Sequence, residues 1–146
     1  VFFRRLLALT FYTSLVLFRT LLNRKLWLNP LSDVCGGWSL WTINANGVRV
    51  LTTDSVENVL MLLPFTMLLM WAAKDKILKK VTFAGIVKSS FKTAFLFSLS
   101  IELLQLFLRV GTFQLSDLCY NILGGIIGGV IYGAVWKIKS RKKMES

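Results

Sequence analysis

Glu102, Gln105, Arg109, Asp117 and Asn121 stand inside or beside the most apolar stretch of the chain, "SIELLQLFLRVGTFQLSDLCYNILGG" (100–125). Glu102 and Asp117 can serve as a general acid and base, or as binding carboxylates. Arg109 can hold a phosphate or carboxylate through two parallel hydrogen bonds. Gln105 and Asn121 add amide donors and acceptors. Asn58 does the same beside Glu57, at the mouth of an earlier apolar run, "ENVLMLLPF" (57–65). Asn58, Gln105, Arg109 and Asn121 are therefore the candidate substrate-binding residues around two carboxylates. The same groups paired with one another, Glu102 with Arg109 or Asn121 and Asp117 with Gln105 or Arg109, would instead be interhelical glue. Glue can be made from uncharged Ser or Thr, and ionisable residues in apolar spans point first to function. The sequence therefore favours a site.

Other chemistries drop out. The chain has no His, which removes His-dependent triads, imidazole bases and His metal sites. Cys35 and Cys119 lack a metal-ligand spacing, and they either pair with each other or remain two free thiols. No metal and no cofactor is expected.

The elements that must position these residues follow from composition. The 146 residues are 55% hydrophobic, with a mean hydropathy of +0.62. A soluble domain of this size cannot hide so many long apolar runs. Runs at about 6–22, 56–73, 91–108 and 117–136 each approach the roughly 17–25 residues needed to cross a bilayer. Phe83–Val87 extends the third backwards. The expected fold is an all-α integral membrane protein, a four-transmembrane-helix bundle forming a single domain over 1–146. Arg19 interrupts the first run near its end and is expected to reach the headgroups. No small-residue cleavage site precedes "RTLLNRK" (19–25), so this run is expected to remain as an anchor.

Charge sets the orientation. With the N-terminus inside and four spans, the C-terminus returns inside. The inner segments then hold Arg4, Arg5, the loop "KDKILKK" (74–80), Lys88, Lys92 and the tail "KIKSRKKMES" (137–146), and with them the whole formal charge of +11. The outer side balances Arg19, Arg24, Lys25, Arg49 and Arg109 against Asp33, Asp54, Glu57, Glu102 and Asp117. This is the positive-inside pattern, with Trp71 and Trp136 at the inner interface. The basic residues set topology and meet anionic headgroups. They are confined to loops and ends, so no nucleic-acid partner is expected.

Helical spacing collects the polar residues. Glu102, Gln105 and Arg109 stand at i, i+3 and i+7, and Asp117, Asn121, Gly124 and Gly128 at i, i+4, i+7 and i+11, each one stripe. The short link "VGTFQLS" (110–116) makes their helices antiparallel neighbours. Gly124 with Gly128, and Gly125 with Gly129 and Gly133, suit close helix packing. Pro64, beside Phe65, removes one backbone donor within the second span and frees a carbonyl on the turn before it. In the outer loop (23–55), "NPLSDVCGGW" (29–38) is turn-rich, and "WSLWTINANGVRVLT" (38–52) predicts a short β-hairpin. Asn46-Gly47 is expected to supply the positive φ angles of its turn. Trp38 and Trp41 either anchor the hairpin at the interface or make it a lid.

The segments "ENVLMLLPF" and "SIELLQLFLRVGTFQLSDLCYNILGGIIG" (100–128) resemble the two signature regions of the VanZ-like family. These are small bacterial membrane proteins named for a teicoplanin-resistance protein. Asn58, Pro64 and Phe65 match in the first region. Glu102, Gln105, Arg109, Phe113, Asp117, Asn121 and Gly124 match in the second. The resemblance covers about residues 56–130 well and the N-terminal third loosely. Thr66 stands where the family often has Gly, and Gln114 and Ser116 replace two acids of its "F-D-x-D-D" run. The resemblance implies a bacterial plasma-membrane protein that affects susceptibility to glycopeptides, and it implies no reaction. The site is expected in the outer leaflet, binding or modifying an anionic lipid, a lipid-linked cell-wall precursor or a lipoglycopeptide. A non-catalytic shielding protein and a small proton-coupled transporter are the other classes. Membrane lipids are the general partners, and the oligomeric state is left open.

Overall fold

The computed structural model describes residues 2–22, 26 and 28–145, with side chains to Lys142. Arg24 and Lys25, counted above on the outer side, lie outside the described residues, as do the side chains of Lys143 and Glu145. The first helix, α1 (Phe2–Leu17), runs on into a π-helical segment, Phe18–Leu22. Two short strands follow, β1 (Trp41–Ile43) and β2 (Arg49–Leu51), and then three long helices: α2 (Thr53–Ile77), α3 (Phe83–Leu108) and α4 (Leu115–Glu145). Four helices are long and apolar enough to cross a membrane, as fits a multi-pass membrane protein. All four extend past the apolar runs that announced them, because polar and basic end turns remain helical without being hydrophobic. Phe83 is the first residue of α3, and Thr82 caps it by accepting from the Gly85 N–H at 3.1 Å.

α4 is the centre of the bundle, packed most extensively against α2 and then α3; α1 leans chiefly on α2. The glycines of α4 fall on two faces. A Cβ on Gly124 or Gly128 would run into the backbone carbonyls of Val59 or Leu63 on α2. One on Gly125 or Gly129 would meet Ala94 or Ser90 on α3. Thr66 uses that proximity: its buried hydroxyl donates to the Gly125 carbonyl at 3.0 Å. At the proline turn of α2, the Tyr12 hydroxyl of α1 donates to the Met61 carbonyl at 3.0 Å. Phe65 and Phe97 stack with centroids 4.3 Å apart, beside buried Leu62 and Ala94.

Polar residues share the interior with apolar ones, and large apolar residues crowd the surface. Thr20, Asn58, Thr66, Ser90, Ser98, Glu102, Gln105, Ser116 and Asn121 are buried, whereas Phe3, Phe11, Leu60, Leu103 and Phe107 are exposed. Hydrocarbon can solvate the outer shell but not amides and carboxylates, so these turn inward.

The hairpin pairs Trp41 with Leu51, Thr42 with Val50 and Ile43 with Arg49. Its turn differs from the two-residue expectation. Only Gly47 takes positive φ, 74°, and the Gly47 N–H closes on the Asn44 carbonyl at 2.9 Å. The Asn44 side chain explains the longer loop: its Oδ1 accepts from the N–H groups of Asn46 at 3.0 Å and Val48 at 2.9 Å. That local bonding stabilises a turn ending in a left-handed glycine.

Close packing at the glycines is the most sensitive feature of this fold. Gly124→Val is expected to destabilise the protein by roughly 1–3 kcal/mol through overpacking against α2. Leu123→Ala, on the outward face of the same turn, should cost no more than about 0.5 kcal/mol. Denaturant unfolding in detergent micelles, followed by tryptophan fluorescence, distinguishes the two.

Candidate functional site

The hairpin end of the bundle holds a cavity of about 410 Å³. Its walls come from five separate segments. Arg19 comes from the π-helical turn, Ser32 and Asp33 from the first loop, and Asp54, Glu57 and Asn58 from the first turns of α2. Gly111, Thr112 and Gln114 come from the α3–α4 link, and Asp117 from the first turn of α4. Four carboxylates therefore face one guanidinium, and that guanidinium is engaged: Arg19 Nη2 lies 2.7 Å from Glu57 Oε2. Arg19, expected to reach headgroups, bridges from the π-helical turn to α2 at the cavity mouth. Both side chains of the pair remain 53% exposed.

Beneath the mouth, Asn58 and Asp117 join α2 to α4, with Asn58 Nδ2 donating to Asp117 Oδ1 at 2.7 Å. Asp117 thus presents one oxygen to a neighbouring helix while its side chain lines the cavity. Gln114 does the same for the first loop, its Nε2 donating to Asp33 Oδ2 at 2.7 Å. Two backbone bonds strengthen that junction, Phe113 N–H to the Pro30 carbonyl at 2.9 Å and Leu115 N–H to the Val34 carbonyl at 3.0 Å. Gly37, at φ +75°, fits over the same junction; a Cβ there would stand 2.5 Å from Ser116 Oγ and 2.9 Å from Gln114 Oε1.

The remaining candidates lie deeper. Glu102 is 2% exposed and accepts from the Gln114 N–H at 3.4 Å, so it reaches the link rather than the cavity wall. Gln105 is buried and donates to the Thr20 carbonyl at 2.8 Å, fastening α3 to the π-helical turn. Asn121 donates to Ser98 Oγ at 3.0 Å, fastening α4 to α3. Arg109 leaves its expected stripe. The α-helix ends at Leu108, and Arg109 caps it in the left-handed conformation, φ 55°. Its exposed side chain is outside the cavity lining.

The structure therefore brings Asn58 and Asp117 together at the cavity and sets Glu102, Gln105 and Asn121 as buried ties around it. Arg19, Asp33, Asp54 and Gln114 enter the lining without having been singled out for it. Arg19, Asp54 and Gln114 share one signal, a place within a turn of an apolar span at the same end of the bundle, whereas Asp33 lies well inside the long first loop. The hairpin strands contribute nothing to the lining. Their anchor is beside them, where the Tyr120 hydroxyl donates to the Trp38 carbonyl at 2.9 Å. Cys35 and Cys119 are free and exposed. Among the described residues, no three acids or cysteines cluster closely enough to hold a metal ion.

A bundle of four apolar helices with an acidic, hydrogen-bonded cavity at one end defines a class of small multi-pass membrane protein. Within it, this chain belongs to the VanZ/LLP1 family, whose sequence model matches residues 3–137. No curated protein and no solved structure matches the chain.

Two ties of similar length should differ in strength. Gln105→Ala leaves a buried carbonyl short of its donor and should cost roughly 1–3 kcal/mol. Arg19→Gln removes an exposed ion pair and should cost less than about 1 kcal/mol. A larger loss with Arg19→Gln than with Gln105→Ala in detergent unfolding would show that the mouth, and not the buried amide, secures the π-helical turn.

Proposed function

We propose that the protein lowers susceptibility to teicoplanin-type glycopeptides, with the cavity at the hairpin end engaging a component of the cell envelope outside a bacterial plasma membrane. In this reading both termini are cytoplasmic. Arg5, the Lys-rich α2–α3 connection and the basic end of α4 then lie on the cytoplasmic side, in keeping with the positive-inside rule. Family membership supports the glycopeptide link.

The observation that carries the role of the cavity is its lining of four carboxylates around one engaged guanidinium. An anionic phosphate would be repelled there, and Arg109, the best anion ligand in the sequence, stands outside the lining. Ammonium groups and hydroxyl-rich surfaces suit it better, because carboxylates accept several charge-assisted hydrogen bonds. The part of a lipid-linked cell-wall precursor or of a glycopeptide that the cavity takes is therefore an amine- or hydroxyl-bearing part. Asp117 is the binding carboxylate, oriented by Asn58. Glu102 positions the α3–α4 link through the Gln114 N–H. A binding or shielding action suits this division of labour better than an acid–base pair, since only one of the two carboxylates faces the cavity. Transporter sites lie near the bilayer midplane, whereas this cavity is at the end of the bundle.

The test is teicoplanin susceptibility in a sensitive Gram-positive host, with membrane levels of each variant matched. The intact chain should raise the inhibitory concentration, and Asp117→Asn should abolish the effect. Glu102→Gln keeps an oxygen for the Gln114 N–H and should retain most of it. Equal protection by Asp117→Asn would sink the cavity as the working site. Loss with Glu102→Gln alone would restore that carboxylate to a direct role.

A further inference from the structure

The end of the bundle opposite the hairpin holds a second cavity, of about 220 Å³. It opens between three helices: Arg5 of α1, Trp71 and Lys74 of α2, and Tyr132, Trp136 and Lys139 of α4 line it. Its electrostatics are opposite to those of the first. The Arg5 guanidinium carbon lies 5.2 Å from the centre of the Trp71 ring, and Arg5 Nη1 donates to the Trp71 carbonyl at 3.3 Å. Arg5 Nε is buried without a hydrogen-bond partner. Leaving a buried, charged donor unsatisfied is costly. Lys74 is also withdrawn, its side chain 14% exposed, with Nζ 2.6 Å from an Asp75 carboxylate that points largely to solvent. Three cations thus converge on one cleft with a single acid beside them.

The charges of this cleft suit an anion, and its surroundings specify which kind. Trp and Tyr at the end of apolar helices mark the headgroup level of a bilayer. Ile131, Val135 and Ile138 are exposed along the adjoining stretch of α4, offering an apolar path away from the cleft. The volume suits a headgroup and is too small for a folded partner. α1 also needs a tie here, since it leans chiefly on α2 and has no comparable packing against α4 among the described residues. We propose that the cleft binds one anionic phospholipid, its phosphate held by Arg5, Lys74 and Lys139 and its acyl chains lying along the exposed face of α4. Arg5 and Lys139 would then be bridged through the lipid, joining the first helix to the last. This site is independent of the acidic cavity at the other end.

The full chain in zwitterionic detergent, titrated with phosphatidylglycerol and observed by native mass spectrometry, should retain one phosphatidylglycerol per protein. Thermal unfolding should rise with that lipid and not with phosphatidylcholine or soluble glycerol phosphate. Arg5→Gln and Lys139→Gln should each weaken retention roughly fivefold, the scale of one cation near an anionic headgroup. Lys88→Gln, an exposed charge on α3, should leave it unchanged. Arg5→Lys keeps the charge and should retain most of the affinity, which separates loss of the site from loss of the fold. An equal loss with Lys88→Gln would overturn the proposal in favour of diffuse attraction. Equal stabilisation by glycerol phosphate would overturn it in favour of a soluble anion, and unchanged retention in both cleft variants would dismiss the site.

Discussion

Everything at the hairpin end depends on how closely α4 lies between its two neighbours. With glycine at 124 and 128, the α4 backbone comes against the Val59 and Leu63 carbonyls, and with glycine at 125 and 129 it comes against Ala94 and Ser90. A helix wedged at that distance brings short polar side chains within hydrogen-bonding reach. Asn58 meets Asp117, Asn121 meets Ser98, and Thr66 meets the Gly125 carbonyl. Water offers no competing partner in the middle of an apolar bundle, so such bonds define register as much as they add stability. The glycines and the polar residues are one device: the first set the separation that the second require.

Above that rigid layer, the cavity is assembled from pieces that are not rigid by themselves. The α3–α4 link is short, and it is secured on three sides, by Glu102 from below, by the Pro30 and Val34 carbonyls from the first loop, and by Asp33 through Gln114. The π-helical turn of the first span is secured by Gln105. A π-helical segment widens the backbone spiral locally and often accompanies functional positions; here it carries Arg19 to Glu57. Buried polar side chains therefore hold the floor, and exposed or half-buried carboxylates form the walls. Carboxylates crowded around a cavity raise its electrostatic energy, and the buried ties are what keep them together.

Much of the architecture was legible in the sequence because hydrophobic run length and link length are strong signals. Four apolar runs gave four helices, and the short "VGTFQLS" link made α3 and α4 neighbours. The hairpin was legible from alternating strand residues around Asn-Gly, but its turn type was decided by the Asn44 side chain, which propensity at Asn46-Gly47 does not register. Helical spacing put Arg109 above Gln105, and the spacing argument lapsed because the helix ended one residue earlier. The acidic lining was least legible. Asp33, the neighbouring Asp54 and Glu57, and Asp117 come from three well-separated parts of the chain. Only the fold brings them together.

The fit of Gly37 over Ser116 and Gln114 links two places separated by most of the chain. The space above Ser116 Oγ is filled by a backbone that has no side chain to withdraw, in a conformation that glycine alone adopts easily. Position 116 is thus limited in size by position 37, and the two form a single mutational unit. Substitutions at these two positions should be inherited together.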